Sequence, residues 1–410
     1  MKKLVSAAYV ATMAGPIVRD GAIVCEAGRI VAVGSARELT AAHPDVEERV
    51  ELGSALLLPG LVNAHTHLEL TGLGQLPQPR SFVDWILDLR DRLMAVTELA
   101  GFVNDGTRAG IAQSLSFGVT TVGDITLNPA ITRRLLRQAG MTGVSFGEVL
   151  GMAGRREQLE GRLAAAMDTA CDGDGLTAGI EPHAPYSLDL PGYQRCVEEA
   201  NRRGMPLATH LAETPDEAAF LADGSGEFAR LWRALGDWRD DVPQFDGGPV
   251  RAMASVGLLD SPALLAHVNY ASDEDLALLV GRRASVVYCP RTHAYFGHPP
   301  HRFAEMLELG INVALGTDSA ASSPDLNLLE EARLVHRLRP DLPLPLLFEM
   351  ITTRGARALG MEREVGRLVV GMRASYCAFA VRGENPMKEV LEEHAPLVGA
   401  GCGKNQAAAP

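Results

Sequence analysis

At 410 residues, 47% apolar and 22% charged, the chain has the balance of a globular protein and fits a barrel of about 250 residues plus an accessory unit. A net charge of −13 lacks the basic footprint that phosphate binding needs, which excludes a nucleic-acid partner, and no stretch approaches the ~20 apolar residues of a membrane span. The only lysines are Lys2, Lys3, Lys388 and Lys404, which excludes a Schiff-base lysine, a phosphate-loop lysine and a lysine-bridged metal pair between them.

The N-terminal residues do not read as a secretory signal, because the apolar run is short and soon becomes strand-like. Six scattered cysteines with no C-x-x-C pair point to reduced thiols and a cytoplasmic location. Residues 1–58 read as short strands with turns, one of them at Ala27-Gly28. Residues 366–371 and 374–381 have the same character, which predicts one small β-sandwich built from 1–58 and 361–400. Between them, residues 59–360 alternate apolar β-runs with helical stretches, the pattern of parallel βαβ units. The candidate strands are 61–64, 119–124, 142–146, 177–181, 206–210, 263–267, 285–289 and 312–317. Eight is the number that a (β/α)8 TIM barrel requires, so the expected fold class is α/β. Phe82, Trp85, Ile86, Leu89 and Leu93 form a helical stripe. Residues 222–250, rich in Gly, Asp and Trp, break the rhythm and read as an insertion that could cover an active site. Residues 401–410 read as a disordered tail.

Polar, metal-competent residues recur where these strands end. His65 and His67 follow the first, His183 the fourth, His210 the fifth, His267 the sixth and Asp318 the eighth. In an extended segment residues i and i+2 share a face, so His65 and His67 can aim at one point. In a parallel barrel all eight C-terminal strand ends open on one face. Each histidine alone is more simply a satisfied polar residue in a barrel mouth. Five histidines and an aspartate, all at predicted strand ends, predict a metal site.

These pieces, Pro59-Gly60-Leu61-Val62-Asn63-Ala64-His65-Thr66-His67, Thr209-His210-Leu211-Ala212-Glu213, His267 and Gly316-Thr317-Asp318-Ser319, resemble the amidohydrolase superfamily over essentially the whole chain. The resemblance implies metal ligands at His65, His67, His210 and Asp318, and a metal-activated water as nucleophile. Binuclear members carry a carbamylated lysine after the fourth strand. No barrel lysine exists here, so one divalent metal is expected, zinc by default, with iron(II) and manganese left open by ligand type. In the deaminase branches that the chain resembles, the glutamate corresponding to Glu213 is not a ligand but a proton shuttle. Asp318 then orients the water and takes its proton, and His267 positions the nucleophile. The bland alternative for Glu213 is a carboxylate at the start of a helix, favoured by its dipole.

Three local patterns narrow the substrate: His67-Leu68-Glu69-Leu70-Thr71 with Ser81-Phe82-Val83-Asp84-Trp85, then Glu181-Pro182-His183-Ala184-Pro185-Tyr186-Ser187, then Cys289-Pro290-Arg291-Thr292-His293-Ala294-Tyr295-Phe296-Gly297-His298. Together they resemble the 6-aminodeoxyfutalosine deaminase group of menaquinone biosynthesis. That likeness implies an adenine nucleoside bearing a benzoate. Arg291, with His293 and His298, is the expected partner of its carboxylate; pairing of Arg291 with an acidic neighbour is the alternative. Glu69 and His183 are candidates for ribose or purine contacts. Deaminases of S-adenosylhomocysteine, methylthioadenosine or a free base, triazine or chlorinated-ring hydrolases, and a non-catalytic metal-binding barrel remain alternatives. The superfamily likeness also allows a homodimer.

Overall fold

The computed structural model describes residues 1–401 and the backbone of 402 and 405–407. All eight predicted barrel strands are present: Leu61–Thr66, Val119–Thr126, Thr142–Val149, Leu176–Pro182, Leu207–Leu211, Ala263–His267, Ser285–Tyr288 and Asn312–Leu315. They pair in sequential order and in parallel. They are buried on both faces, which is why they read as continuous apolar runs rather than alternating ones. The last strand ends earlier than expected, at Leu315, because Gly316–Asp318 turns across to the first strand. There Thr317 N and Asp318 N both donate to His65 O at 3.1 Å. The Asn63 side chain donates to Thr317 Oγ1 (2.8 Å) and accepts from Thr317 N (3.1 Å). These contacts close the barrel at the point where two candidate site residues lie.

Val62, Ala64, Phe146, Ala208, Leu264 and Ala314 fill the interior, and Leu359, Met361 and Val365 pack against them. Two glycines in the helix Leu99–Ser116 let it approach the turn Leu68–Leu73 closely. A Cβ at Gly106 would run into the Glu69 carbonyl, and one at Gly110 would lie 2.7 Å from Thr71 Oγ1. That close approach fixes the backbone of Glu69.

Both ends of the chain build a second sheet, as expected. Its order is 405–407, Leu397–Cys402, Ser375–Ala380, Ala55–Pro59, Lys2–Val10, Val18–Glu26, Arg29–Ser35, with Glu48–Glu51 also pairing along Lys2–Val10. Its strands form one hydrogen-bonded network that forks at Lys2–Val10. Residues 366–371 form no strand among the described residues; Leu368 N instead donates to Thr12 O. The hairpin turn at Ala27-Gly28 takes positive φ at both positions, 51° and 79°, matching the twist of its strands. Period-two alternation joins the two units: Ala55 and Leu57 face the terminal sheet's core, while Leu56 and Leu58 face the barrel. The expected tail at 401–410 is corrected in part, since the backbone of 405–407 pairs with Ala400–Cys402; 403, 404 and 408–410 lie outside the described residues. No helix among the described residues is long and apolar enough to cross a membrane.

Candidate active site

The strands that end in candidate residues turn abruptly there. Ala212, His267, Val268 and Asp318 have φ of 47°, 71°, 52° and 56°. Left-handed backbone at non-glycine residues costs about 1–3 kcal/mol each and persists only where the surroundings over-determine it. Here Val268 N is held by Leu211 O, Tyr270 N by Ala212 O and Asp318 N by His65 O.

These turns bring the predicted residues together. His65 Nε2 and His67 Nε2 lie 3.6 and 3.4 Å from Asp318 Oδ1, and His210 Nε2 lies 3.3 Å from His67 Nε2. Candidate ligand atoms of His65, His67 and Asp318 fall within 4.8 Å of one another, as do those of His65, His210 and His267. Burial lowers the pKa of His65, His67, His210 and His267, so these imidazoles are neutral. Burial opposes ionisation of Asp318, but the imidazoles of His65, His267 and His67 outweigh it and hold the carboxyl well below its usual range. Both ring nitrogens of His65 and Nε2 of His267 are buried without a hydrogen-bond partner. Buried polar atoms without partners are costly, and neutral imidazoles with one carboxylate are the donor set of a divalent metal such as zinc. The residues therefore fit such an ion.

Glu213 lies beside this cluster, its Oε1 3.4 Å from His267 Nε2. Burial raises its pKa well above the carboxylate range, and Asp318 and Glu217 add to the shift. Glu217 shapes its loop by accepting from the backbone N–H groups of Ala212, Glu213 and Thr214. Asn269 Nδ2 donates to Glu213 O at 3.1 Å.

The sequence reading missed a set of carboxylates behind these residues. Glu181 Oε1 lies 2.8 Å from His210 Nδ1 and is fully buried, so it orients the imidazole from behind, as outer partners of ligand histidines do. Glu148 Oε1 lies 3.4 Å from His183 Nε2, while His183 Nδ1 meets Ser187 Oγ at 2.6 Å. Asp124, pushed up to about 8 by burial, accepts from Leu68 N. These residues occupy continuous apolar strands, where only an acidic residue inside such a run could have signalled them.

His67, Glu69, His183, His210, Glu213, His267 and Asp318 line one cavity. Glu69 is held by Leu127 N, Thr126 Oγ1 and Asn128 Nδ2 at 2.8–3.0 Å. The cavity walls are apolar: Phe82, Trp85, Ile86 and Leu89 from the helix Phe82–Met94, and Leu231, Trp232 and Leu235 facing them. The expected insertion at 222–250 contains the helix Gly226–Ala234, whose Phe228 and Trp232 pack with Tyr186 and Val83.

Arg291 is not brought to this cavity. Its Nε donates to Glu331 (2.6 Å), its Nη1 to Asp325 (2.7 Å) and its Nη2 to the carbonyls of Asp325 and Asn327. Every guanidinium nitrogen is committed, so the expected carboxylate partner is corrected to a wall ion pair. His293 and His298 do not line the cavity either. His298 Nδ1 meets the Tyr270 hydroxyl at 3.1 Å. Arg291→Met leaves the fully buried Glu331 without its partner, and is expected to destabilise the fold by about 3–5 kcal/mol. Its effect on substrate preference should be nil; denaturation midpoints and a substrate panel on the same preparation check both parts.

The Amidohydrolase family profile matches residues 56–407, and a profile of the bacterial imidazolonepropionase-like composite domain matches 21–45. A 5-methylthioadenosine/S-adenosylhomocysteine deaminase of Moorella thermoacetica is 28% identical over 91% of this chain and 84% of its own length. The protein of that name from Nitratidesulfovibrio vulgaris (strain DP4) is 29% identical over 98% and 88%. Among solved structures, Helicobacter pylori aminofutalosine deaminase with methylthio-coformycin superposes at TM-score 0.86, with 23% identity, over 99% of this chain and all of that one. A Xanthomonas campestris adenosine deaminase with bound zinc superposes at 0.83, also with 23% identity, over 99% and 92%. These two likenesses show the fold.

Proposed function

Since the chain belongs to the amidohydrolase family, we propose that it hydrolytically deaminates the adenine ring of a nucleoside. The observation that carries this reading is Glu213: a buried carboxyl, its proton affinity raised by burial, that lines the cavity 3.4 Å from His267. A metal-binding barrel without catalysis has no use for such a group.

His65, His67, His210 and Asp318 would hold one divalent metal, with zinc as the expected ion. Bound there, it supplies a Lewis acid that lowers the pKa of a water toward neutrality. Asp318 takes a proton from the attacking water, and His267 positions that water. Glu213 gives its proton to the ring nitrogen next to the amine-bearing carbon, making that carbon electrophilic. Water oxygen then forms its bond to the carbon, Asp318 passes the proton it took to the exocyclic amine, the C–N bond breaks and ammonia leaves, and the remaining hydroxyl proton returns to Glu213 as the carbonyl forms. Glu217 and Asn269 keep Glu213 in place through this cycle. Glu69 and His183 contact the nucleoside.

The finer reading is 6-aminodeoxyfutalosine, whose aromatic 5′ extension suits the wall of Phe82, Trp85 and Trp232. Its carboxylate would meet Arg90 or Arg155, the arginines that do line the cavity, in place of Arg291. The second reading, methylthioadenosine or S-adenosylhomocysteine, is favoured by the names of the curated relatives. Purified protein should deaminate 6-aminodeoxyfutalosine with kcat/KM at least tenfold above methylthioadenosine, S-adenosylhomocysteine and adenosine, a difference of about 1.4 kcal/mol in transition-state binding. Preference for any of the other three replaces the finer reading; no ammonia release from any adenine nucleoside overturns deamination itself.

A further inference from the structure

Outside the cavity, His293, His298 and His301 gather with Tyr270 and Tyr288. We infer that His301 is a positioning residue for His267, and that His298-Pro299-Pro300-His301 clamps the turn from His267 to Tyr270 against Glu213. This rests on the deaminase reading for its kinetic consequence but not for its geometry.

His267 ends its strand with two consecutive left-handed residues, φ 71° and 52°. A chain reversed in this way takes its carbonyl out of the strand ladder, and a buried carbonyl needs a donor. His301 supplies one: its Nε2–H donates to His267 O at 2.8 Å. The His301 ring is buried and stacked on Tyr288, with centroids 4.2 Å apart. Pro299 and Pro300 limit the backbone freedom of the segment that carries it. At the other end of the same four residues, His298 Nδ1 meets the hydroxyl of Tyr270, the last residue of the turn, at 3.1 Å.

The opposite side of the turn is tied to the loop of Glu213. Val268 N donates to Leu211 O (2.9 Å), Tyr270 N to Ala212 O (3.0 Å) and Asn269 Nδ2 to Glu213 O (3.1 Å). The turn thus lies between two loops, one carrying Glu213 and the other His301. The 3.4 Å separation of His267 and Glu213 is set by both. The three histidines behind His267 are not a second metal site. Among the described residues only the two groupings at the cavity bring three ligand atoms within 4.8 Å. His298 and His301 each spend one nitrogen on the clamp and leave the other without a partner.

The test compares His301→Leu, which has no donor, with His301→Gln, whose amide N–H can reach the same carbonyl. Misplacement of a reacting group by about 1 Å can cost about 10²-fold in rate, so His301→Leu is expected to lower kcat by about 10- to 100-fold on the preferred adenine nucleoside. KM should stay within about threefold and His301→Gln should recover most of the loss. A second readout needs no substrate: in the protein loaded with cobalt(II) alone, the visible band should shift in His301→Leu and return in His301→Gln. If His301→Leu does not fold, Tyr270→Phe removes only the second clamp hydroxyl and should lower kcat several-fold at unchanged melting temperature. Unchanged kcat and cobalt band in His301→Leu, a Gln variant as impaired as Leu, or wild-type kcat in Tyr270→Phe each overturn the clamp. A wild-type protein inert toward every nucleoside overturns the deaminase reading alone, and the cobalt band then decides the clamp.

Discussion

Replacing Glu213 by glutamine is expected to lower kcat by about 10³-fold, within the 10²- to 10⁴-fold range of positioned proton transfer, while metal content stays at the wild-type level. The amide preserves the size of the side chain but has no proton to give. The fold should tolerate it, because Glu217 bonds the backbone of Ala212, Glu213 and Thr214 rather than the Glu213 side chain. Metal should be retained because Glu213 belongs to neither of the two ligand groupings among the described residues. Glutamine is itself uncharged, so the substitution buries no new charge. Turnover and metal stoichiometry, measured on the same preparation, check the prediction. If the metal departs with the activity, Glu213 is a ligand and the shuttle role is lost.

His67→Ala is expected to do the opposite, removing metal and turnover together. Loss of an outer partner of a ligand already costs about 10- to 100-fold in metal affinity or activity, so loss of a ligand itself should cost at least that upper value. His67 is the informative choice because, unlike the fully buried His65, it lines the cavity. Truncating it opens space toward the cavity rather than inside the barrel. Treating the wild-type protein with a chelator should produce the same inactive state, and one equivalent of zinc should reverse it. Full activity in a metal-free sample, or a variant that keeps one equivalent of metal, would remove His67 from the ligand set. Binding of two equivalents would correct the expectation of a single metal, which rests on the absence of a barrel lysine.

Much of the candidate ligand set was legible because it is local in character. A run such as Leu61-Val62-Asn63-Ala64 forms a strand by itself, and a polar residue that ends it must emerge at the strand's C-terminal end. Parallel pairing then carries His65, His67, His183, His210, His267 and Asp318 to one mouth. Glu181 and Glu148 were less legible because a carboxylate inside an apolar run carries no periodic signal. Their importance comes from which imidazole they face. Arg291 shows the complementary difficulty. Its own position suggested a binding cation, yet Asp325 and Glu331, 34 and 40 residues further on, take all its donors. The segment 366–371 has the composition of a strand, yet it touches the terminal sheet only through single backbone bonds, Leu368 N to Thr12 O and Gly371 N to Ile30 O.

By itself, then, the sequence determined the class of fold, the eight strands and the chemical types gathered at their ends, because apolar patterning and strand period are properties of neighbouring residues. Only the tertiary structure decided which charges are spent within the wall and which face the cavity, and which histidine steadies another from behind. Ion pairs and buried carbonyls are satisfied by whatever donor the fold brings within about 3 Å, and no spacing along the chain records that partner.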